Sequence, residues 1–502
     1  MISKNLGKCF DARRDPEKVA LIDCRDWDSP VELTYAEFDA LCDAVARGLR
    51  ARGFVPGDRI GILSLNRHEM LAAFFGTMRA GMVTVPISFK LARETVEYIV
   101  ADAGLKGVFC DAARADLVPP GLQRISFDDP DGFSALLDPG PFDTVEPEGR
   151  ALGMMLYTSG STGKPKGVLL SHESQRWALE RMIEAYGDQS QNRYIVAAPM
   201  FHMNATFNVK ASLTYGASLV LLPAFDARRY AEAIPRFKVT ALTSVPTMLA
   251  LVAKERDLVG GLDFSSVTKV SMGSAPLTQA LIDKVQAIFP KAALANSYGT
   301  TEAGPCPFGP HPAGVPRPAL CAGYPLPGSE VELRGGPTPD EGEVFMKSPM
   351  LMEGYNNLPE RTATALEGGW YRSGDIMRRD ENGFFYFVGR TDDMFVVGGE
   401  NLWPGEVERL LERMDGVHQA IVVPVPDEIK GALPFAFIVP QQGASLDEAA
   451  VKAFAIANGP AFAHPRFVEF VREIPLAATN KPDRKALTAI ADAKAKGRRA
   501  TV

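Results

Sequence analysis

Between residues 59 and 289 the chain repeats one pattern: a short apolar run of strand length, then a helical stretch with one apolar face. Residues 59–65 (RIGILSL) read as a buried strand, 70–79 as a helix and 81–87 as another strand. The alternation continues with strands expected at 194–198, 218–222, 239–243 and 267–272, separated by helices such as 230–237 and 277–289. Strands joined through helices cannot be hairpin partners, so parallel sheets covered by helices are expected. Upstream, Thr34-x-x-Glu37 precedes Phe38, Leu41, Cys42, Val45 and Leu49 at helical spacing, which predicts a capped helix with one buried face.

The pattern changes after Pro325. GEVFMKS and NGFFYFVGR are short strands between glycine turns, predicting a β-rich subdomain. Past Arg390 a compact mixed region begins, with helices at 405–414 and 446–458 and strands at 420–425 and 434–439. At 502 residues the chain exceeds what one core supports. The expected architecture is α/β: a large multi-layered N-terminal domain, 1–391, with a β-rich subdomain, then a small mobile α+β C-terminal domain, 392–502.

Composition narrows the function classes. The net charge of −7 comes without a basic run beyond Lys494, Lys496, Arg498 and Arg499, so no nucleic-acid partner is expected. The six cysteines show no CxxC pair or metal-type spacing, which suits free thiols in a reducing, cytoplasmic setting. The N-terminus lacks the apolar core of a signal peptide, and no apolar run approaches the ~20 residues of a membrane helix. Oligomeric state is not legible from these residues, and a homodimer stays open.

The segment 156–172, LYTSGSTGKPKGVLLSH, carries the strongest chemical signal. An apolar strand ends abruptly in Thr158, Ser159, Gly160, Ser161, Thr162 and Gly163, followed by Lys164 and Lys166. Backbone N–H groups in such a loop can approach phosphate oxygens closely, because glycine has no Cβ and tolerates positive φ. Lys164 or Lys166 adds charge. It is not a Walker A loop, since Thr158 stands where that pattern needs glycine and Pro165 follows Lys164.

YTSGSTGKPKGV closely resembles the signature loop of the adenylate-forming superfamily, which includes acyl- and aryl-CoA synthetases, adenylation domains of peptide synthetases and firefly luciferase. Further elements of that family follow in order. NSYGTTE at 296–302 resembles its aromatic-Gly-x-Thr-Glu element; the resemblance implies that Tyr298 stacks on adenine, Thr301 contacts the α-phosphate and Glu302 helps hold Mg²⁺. A flat ring suits a purine face, and a hard carboxylate oxygen suits a hard cation. YRSGDI resembles the element whose aspartate binds the ribose hydroxyls, a role falling to Asp375. GRTDD resembles the hinge segment, with Arg390 near the ribose and Asp392 as pivot. IPLAATNKPDRKAL resembles the segment whose lysine promotes adenylation, assigned to Lys481. Here Asn480 replaces the family's more common glycine before that lysine.

The resemblance implies an acid–CoA ligase with ATP, Mg²⁺ and coenzyme A. Gly398 and Gly399 are expected beside the thiol channel, where paired glycines leave room along the backbone. Gly273, Ser274, Ala275, Pro276, Asn296 and Gly299 are expected as walls of the nucleotide and acyl site. His202, in PMFHMNATFNV at 199–209, is either a wall of the acyl pocket or a satisfied structural histidine. The small-molecule partner is a carboxylic acid. No Asp follows His202 in this segment, which disfavours an amino acid substrate, and Lys210 is the only nearby base for a dicarboxylate. The reading leans to an aromatic or arylpropenoic acid, with a medium-chain or branched fatty acid or a carrier-protein acceptor as alternatives.

Overall fold

The computed structural model describes residues 2–158, 164–275, 277–398, 400–476 and 482–499. The chain divides into two compact units, one of Met1–Val331 with Phe345–Ser373, the other of Glu332–Val344 with Gly374–Val502.

Two seven-stranded sheets organise the first unit. One runs Ala293–Ser297, Lys269–Gly273, Ala241–Ser244, Arg193–Val196, Ser218–Leu221, Val19–Asp23 and Val31–Thr34 in spatial order. All neighbours are parallel except the last pair. The helix Ala227–Phe237 lays Tyr230, Ile234 and Phe237 on Ile195, Val220 and Leu242 of this sheet, burying one face at helical spacing. The predicted capping box is present at the start of Tyr35–Ala51. The Glu37 N–H donates to Thr34 Oγ1 at 3.2 Å, and the Thr34 N–H donates to Glu37 Oε2 at 2.8 Å.

The second sheet runs Gly354–Tyr355, Lys166–Ser171, Leu152–Thr158, Val83–Pro86, Arg59–Leu63, Gly107–Cys110 and Gln123–Ser126. It departs from the all-parallel expectation at one edge. Leu152–Thr158 and Lys166–Ser171 are antiparallel, and Gly354–Tyr355 is antiparallel to the latter. The reason is chain length: too few residues separate Thr158 from Lys166 for a crossover, so the strands pair as a hairpin. A Walker loop, by contrast, leads from a strand into a helix.

In the second unit a five-stranded sheet contains Glu400–Leu402, Phe395–Val397, Gly431–Pro440, Val417–Asp427 and Phe467–Phe470. Side-chain alternation divides its long strands between two cores. Val422, Ala436 and Ile438 face helices Pro404–Leu411 and Glu448–Asn458, whereas Ile421, Val423, Phe435 and Phe437 face the terminal helix Arg484–Arg499. The same unit pairs residues 375–379 with 385–390 as an antiparallel ladder. All six cysteines are buried free thiols, and no helix among the described residues is long and apolar enough to cross a membrane.

Candidate active site

The hairpin brings Thr158 and Lys166 opposite each other at the end where its two strands are connected. Thr158 Oγ1 is buried and has no hydrogen-bond partner among the described residues. A buried hydroxyl left unpaired is costly, so this atom is suited to an oxygen-rich ligand group. Lys166 points instead into the protein. Its Nζ lies 2.9 Å from Glu302 Oε1 and 2.7 Å from the Tyr355 hydroxyl, and 4.1 Å from the centre of the Tyr355 ring. The hydroxyl in turn donates to Glu302 Oε1 at 3.1 Å. The three side chains form a closed triangle.

Backbone contacts fix each corner. Met352 N–H donates to the Glu302 carbonyl at 2.8 Å, Asn356 N–H to the Gly167 carbonyl at 2.8 Å, and Tyr355 pairs with Val168 in the sheet. Beneath the hairpin, the Tyr157 hydroxyl donates to Asp102 Oδ2 at 2.6 Å; burial and the adjacent carboxylate push its pKa up. Asn356 donates to the same carboxylate at 3.1 Å and accepts from Arg59 at 3.0 Å. Lys164 is exposed and sits over the Tyr98 ring at 5.3 Å.

Asn296, Tyr298, Gly299 and Thr301 lie just before Glu302, at and beyond the end of Ala293–Ser297. The Tyr298 ring is half-buried and meets Phe308 edge-on at 5.8 Å. The Asn296 amide donates to the Leu320 carbonyl at 2.9 Å. Thr301 is half-buried. Asn204 Nδ2 donates to Ser274 Oγ at 3.2 Å, and Ala275 is half-buried beside it. Gly273 and Gly299 are small for a reason the sequence does not reveal. A Cβ at Gly273 would lie 2.5 Å from the Ser297 carbonyl oxygen, and one at Gly299 would lie 2.4 Å from that of Pro305. Backbone fills that space, so these glycines allow chain segments to approach closely and do not by themselves add depth to a pocket.

His202 occupies the cap position of helix Met203–Tyr215 in extended conformation, half-buried, with its ring 4.5 Å from Phe201. Phe201 packs edge-on against Phe89 at 5.3 Å. Asn66, which sequence reasoning missed, pins the preceding segment by donating to the Ala198 carbonyl at 3.0 Å and accepting from Met200 N–H at 3.2 Å. Lys210 is on the same helix but fully buried, 2.8 Å from Gln175 Oε1 and 3.4 Å from Met154 Sδ. Burial pushes its ammonium down to about 7. Lys210 is therefore a core residue and not a base presented to a second carboxylate.

In the second unit Asp375 and Arg390 face each other across the ladder, with Arg390 Nη1 donating to Asp375 Oδ1 at 2.8 Å. The aspartate side chain is 6% exposed and the arginine 43%. Thr391 Oγ1 donates to the Gly374 carbonyl at 3.0 Å, and Gly374 N–H donates to Glu343 Oε1 at 3.1 Å. Asp392 is exposed in the short turn Thr391–Asp393. Gly398 has φ of +61° in the turn between Phe395–Val397 and Glu400–Leu402. Ser159, Gly160, Ser161, Thr162, Gly163, Pro276, Gly399 and Lys481 lie outside the described residues. Leu476 and Pro482, on either side of 477–481, pair as an antiparallel bridge. Arg484 donates to both oxygens of Glu408, at 2.8 and 2.9 Å, and to the Val422 carbonyl at 2.9 Å.

Thr158 and the Lys166–Glu302 pair stand together on a fold shared with adenylate-forming acid–thiol ligases. Residues 10–356 match the family described as AMP-binding enzyme, and 406–481 match the AMP-binding enzyme C-terminal domain. A feruloyl-CoA synthase of Amycolatopsis is 33% identical over 466 residues, covering 89% of this chain and 92% of that protein. A fatty acid–[acyl-carrier-protein] ligase of Streptomyces coeruleorubidus is 31% identical over 481 residues, 91% of each. Among solved structures, the anthranilate CoA ligase AuaEII in complex with anthranoyl-AMP superposes with a TM-score of 0.88 at 25% identity, over 99% of this chain and 98% of that one. The chain belongs to the AMP-binding enzyme family.

Proposed function

We propose that the chain couples an aromatic or arylpropenoic acid to coenzyme A through an acyl-adenylate. The observation that carries the adenylation step is the convergence of Thr158, Lys166 and Glu302 at one end of the hairpin. In the first step a carboxylate oxygen of the acid bonds to the α-phosphorus of ATP and the bond to pyrophosphate breaks. In the second, the thiol sulfur bonds to the acyl carbon, its proton is lost, and AMP leaves.

Each residue is assigned one task. The Thr158 hydroxyl, buried and unpaired, donates to a phosphate oxygen, and the Lys166 ammonium offsets phosphate charge. The half-buried Tyr298 ring receives the adenine, and Asp375 accepts from the ribose hydroxyls with Arg390 holding its orientation. The residue to hold magnesium is Glu302: Mg²⁺ commonly binds through one or two carboxylates plus phosphates and water, and a single carboxylate beside a phosphate loop fits that donor set. When bound, the ion supplies charge neutralisation at the triphosphate. Lys481 is assigned to the charge developing as pyrophosphate departs, and residues 392–502 to a rotation about Asp392 that brings Gly398 and Gly399 to the thiol path.

Support for an aryl substrate comes from the feruloyl and anthranilate relatives and from the apolar segment at Met200, Phe201 and Met203. Lys210, turned into the core, removes the nearby candidate for a dicarboxylate. The fatty-acid relative, which uses a carrier protein, marks the alternative. The test is incubation with ATP, Mg²⁺ and a panel of acids, offered CoA or a phosphopantetheinylated carrier protein. AMP and an aryl-CoA thioester should form in equal amounts, with ferulate or benzoate exceeding octanoate by about tenfold or more in kcat/KM, the discrimination a shaped apolar pocket can reach. Preference for octanoate would replace the aryl reading, thioester on the carrier alone would replace the acceptor, and AMP from no acid would remove the ligase reading.

A further inference from the structure

The Lys166–Glu302 pair poses a problem for a carboxylate that must also serve a divalent cation. An ammonium held only by that carboxylate would be repelled when a second positive charge arrived at the same oxygens. Tyr355 gives the ammonium another seat. Its hydroxyl is the nearer acceptor, 2.7 Å from Nζ against 2.9 Å for Glu302 Oε1, and the same nitrogen is 4.1 Å from the ring centre, alongside the hydroxyl. The hydroxyl proton is directed at Glu302, at 3.1 Å, so the lone pairs remain for the lysine. The seat is fixed: the Tyr355 side chain is buried, its N–H donates to Thr362 Oγ1 at 2.8 Å, and its strand is paired to that of Lys166.

We propose that Tyr355 is a positioning residue for the nucleotide site, holding the Lys166 ammonium by its hydroxyl so that Glu302 can turn its charge to magnesium without expelling the lysine. This rests on the Mg-ATP reading given above. Tyr355 touches no reacting atom; it acts through Lys166 and Glu302.

The test is ATP binding by calorimetry across a magnesium titration, with AMP binding in the absence of magnesium as a control for fold. Tyr355→Phe keeps the ring and loses the hydroxyl. It should raise the magnesium midpoint about tenfold, the effect of one charge-assisted hydrogen bond, with AMP binding unchanged. Tyr355→Leu also lacks the hydroxyl and should raise it by a similar factor. Lys166→Met, which removes the competing cation, should lower the midpoint, and adding Tyr355→Phe to it should then change nothing. A Tyr355→Phe midpoint equal to wild type, a parallel loss of AMP binding, or a further rise in the Lys166→Met background overturns the proposal. Should Tyr355→Phe fail to fold, Tyr355→Leu is read by the same criteria: a raised magnesium midpoint with AMP binding unchanged supports the seat, and a midpoint equal to wild type overturns it. Wild-type protein that binds ATP at no magnesium concentration would instead remove the ligase reading itself.

Discussion

The two ion pairs assigned to the nucleotide are alike on paper and unlike in their surroundings. Lys166 and Glu302 are both enclosed, with side chains 15% and 9% exposed, and share Tyr355 as a third partner. Asp375 is as well buried, but Arg390 is 43% open to solvent. In the first pair each charge depends on the other, because little water can replace a lost partner. In the second, water can stand in for one side. The contrast teaches that the first pair is bound up with stability and chemistry together, whereas Arg390 can be altered with a local effect.

The sharpest way to break this comparison is Glu302→Gln. It keeps an acceptor oxygen near Lys166 but removes the countercharge, and is expected to lower acid-dependent AMP formation by about 10²–10³, typical of losing one electrostatic group at a reacting phosphate. Unfolding free energy should fall by about 3–5 kcal/mol, the usual cost of stranding one member of a buried pair. Denaturant titration beside pyrophosphate exchange would separate the two effects. If stability is untouched, the triangle is not a mutually dependent unit.

Lys210 sharpens the contrast from another side, as a buried ammonium whose acceptors are an amide oxygen and a thioether. Burial lowers its pKa from 10.5 to about 7 in the fold. Between those values the unfolded chain holds the proton that the folded chain has released, so this group makes stability rise with pH from about 7 toward 10 and penalises the fold below that window. Lys210→Met should raise stability near pH 7 by on the order of a few kcal/mol and flatten that rise. Chemical denaturation at pH 7, 8.5 and 10 would show a flattened slope, and an unchanged slope would mean that Lys210 stays charged inside.

Arg390→Lys is the mildest probe. It keeps the charge and gives up the planar fork, so a rise of about threefold in KM for ATP is expected, with stability changed by no more than about 0.5 kcal/mol. Steady-state kinetics and a melting curve suffice. A loss rivalling that of Glu302→Gln would erase the distinction between the pairs.

Much of the architecture was legible because it is local. Hydrophobic period marks the strands and helices of the first sheet, and Thr34 with Glu37 marks a helix start within four residues of chain. The antiparallel edge of the second sheet was missed because pattern alone reports that a strand is buried, not which way its neighbour runs. Candidate site residues could be proposed where chemistry is written contiguously, as in Thr158 to Lys166 and Tyr298 to Glu302. It was illegible where partners meet only through folding: Tyr355 on Lys166, Asp102 under Tyr157, and Arg484 on Glu408. The one available hint for Tyr355 was a glycine followed by an aromatic and two asparagines. Gly273 and Gly299 illustrate a different gap, since absence of a side chain looks the same in sequence whether ligand or backbone fills the space.

Tyr355 reaches Lys166 across 189 residues of chain. During synthesis at about 5–20 residues per second, the strand bearing Lys166 therefore emerges roughly 10–40 seconds before the strand that completes its sheet. For that interval Lys166–Ser171 is an unpaired edge with a charged end, and Tyr355 is both the residue that closes the sheet and the one that gives the lysine its final neighbour. A ribosome stalled before Tyr355 would hold a nascent chain in which Lys166 lacks the Tyr355 hydroxyl.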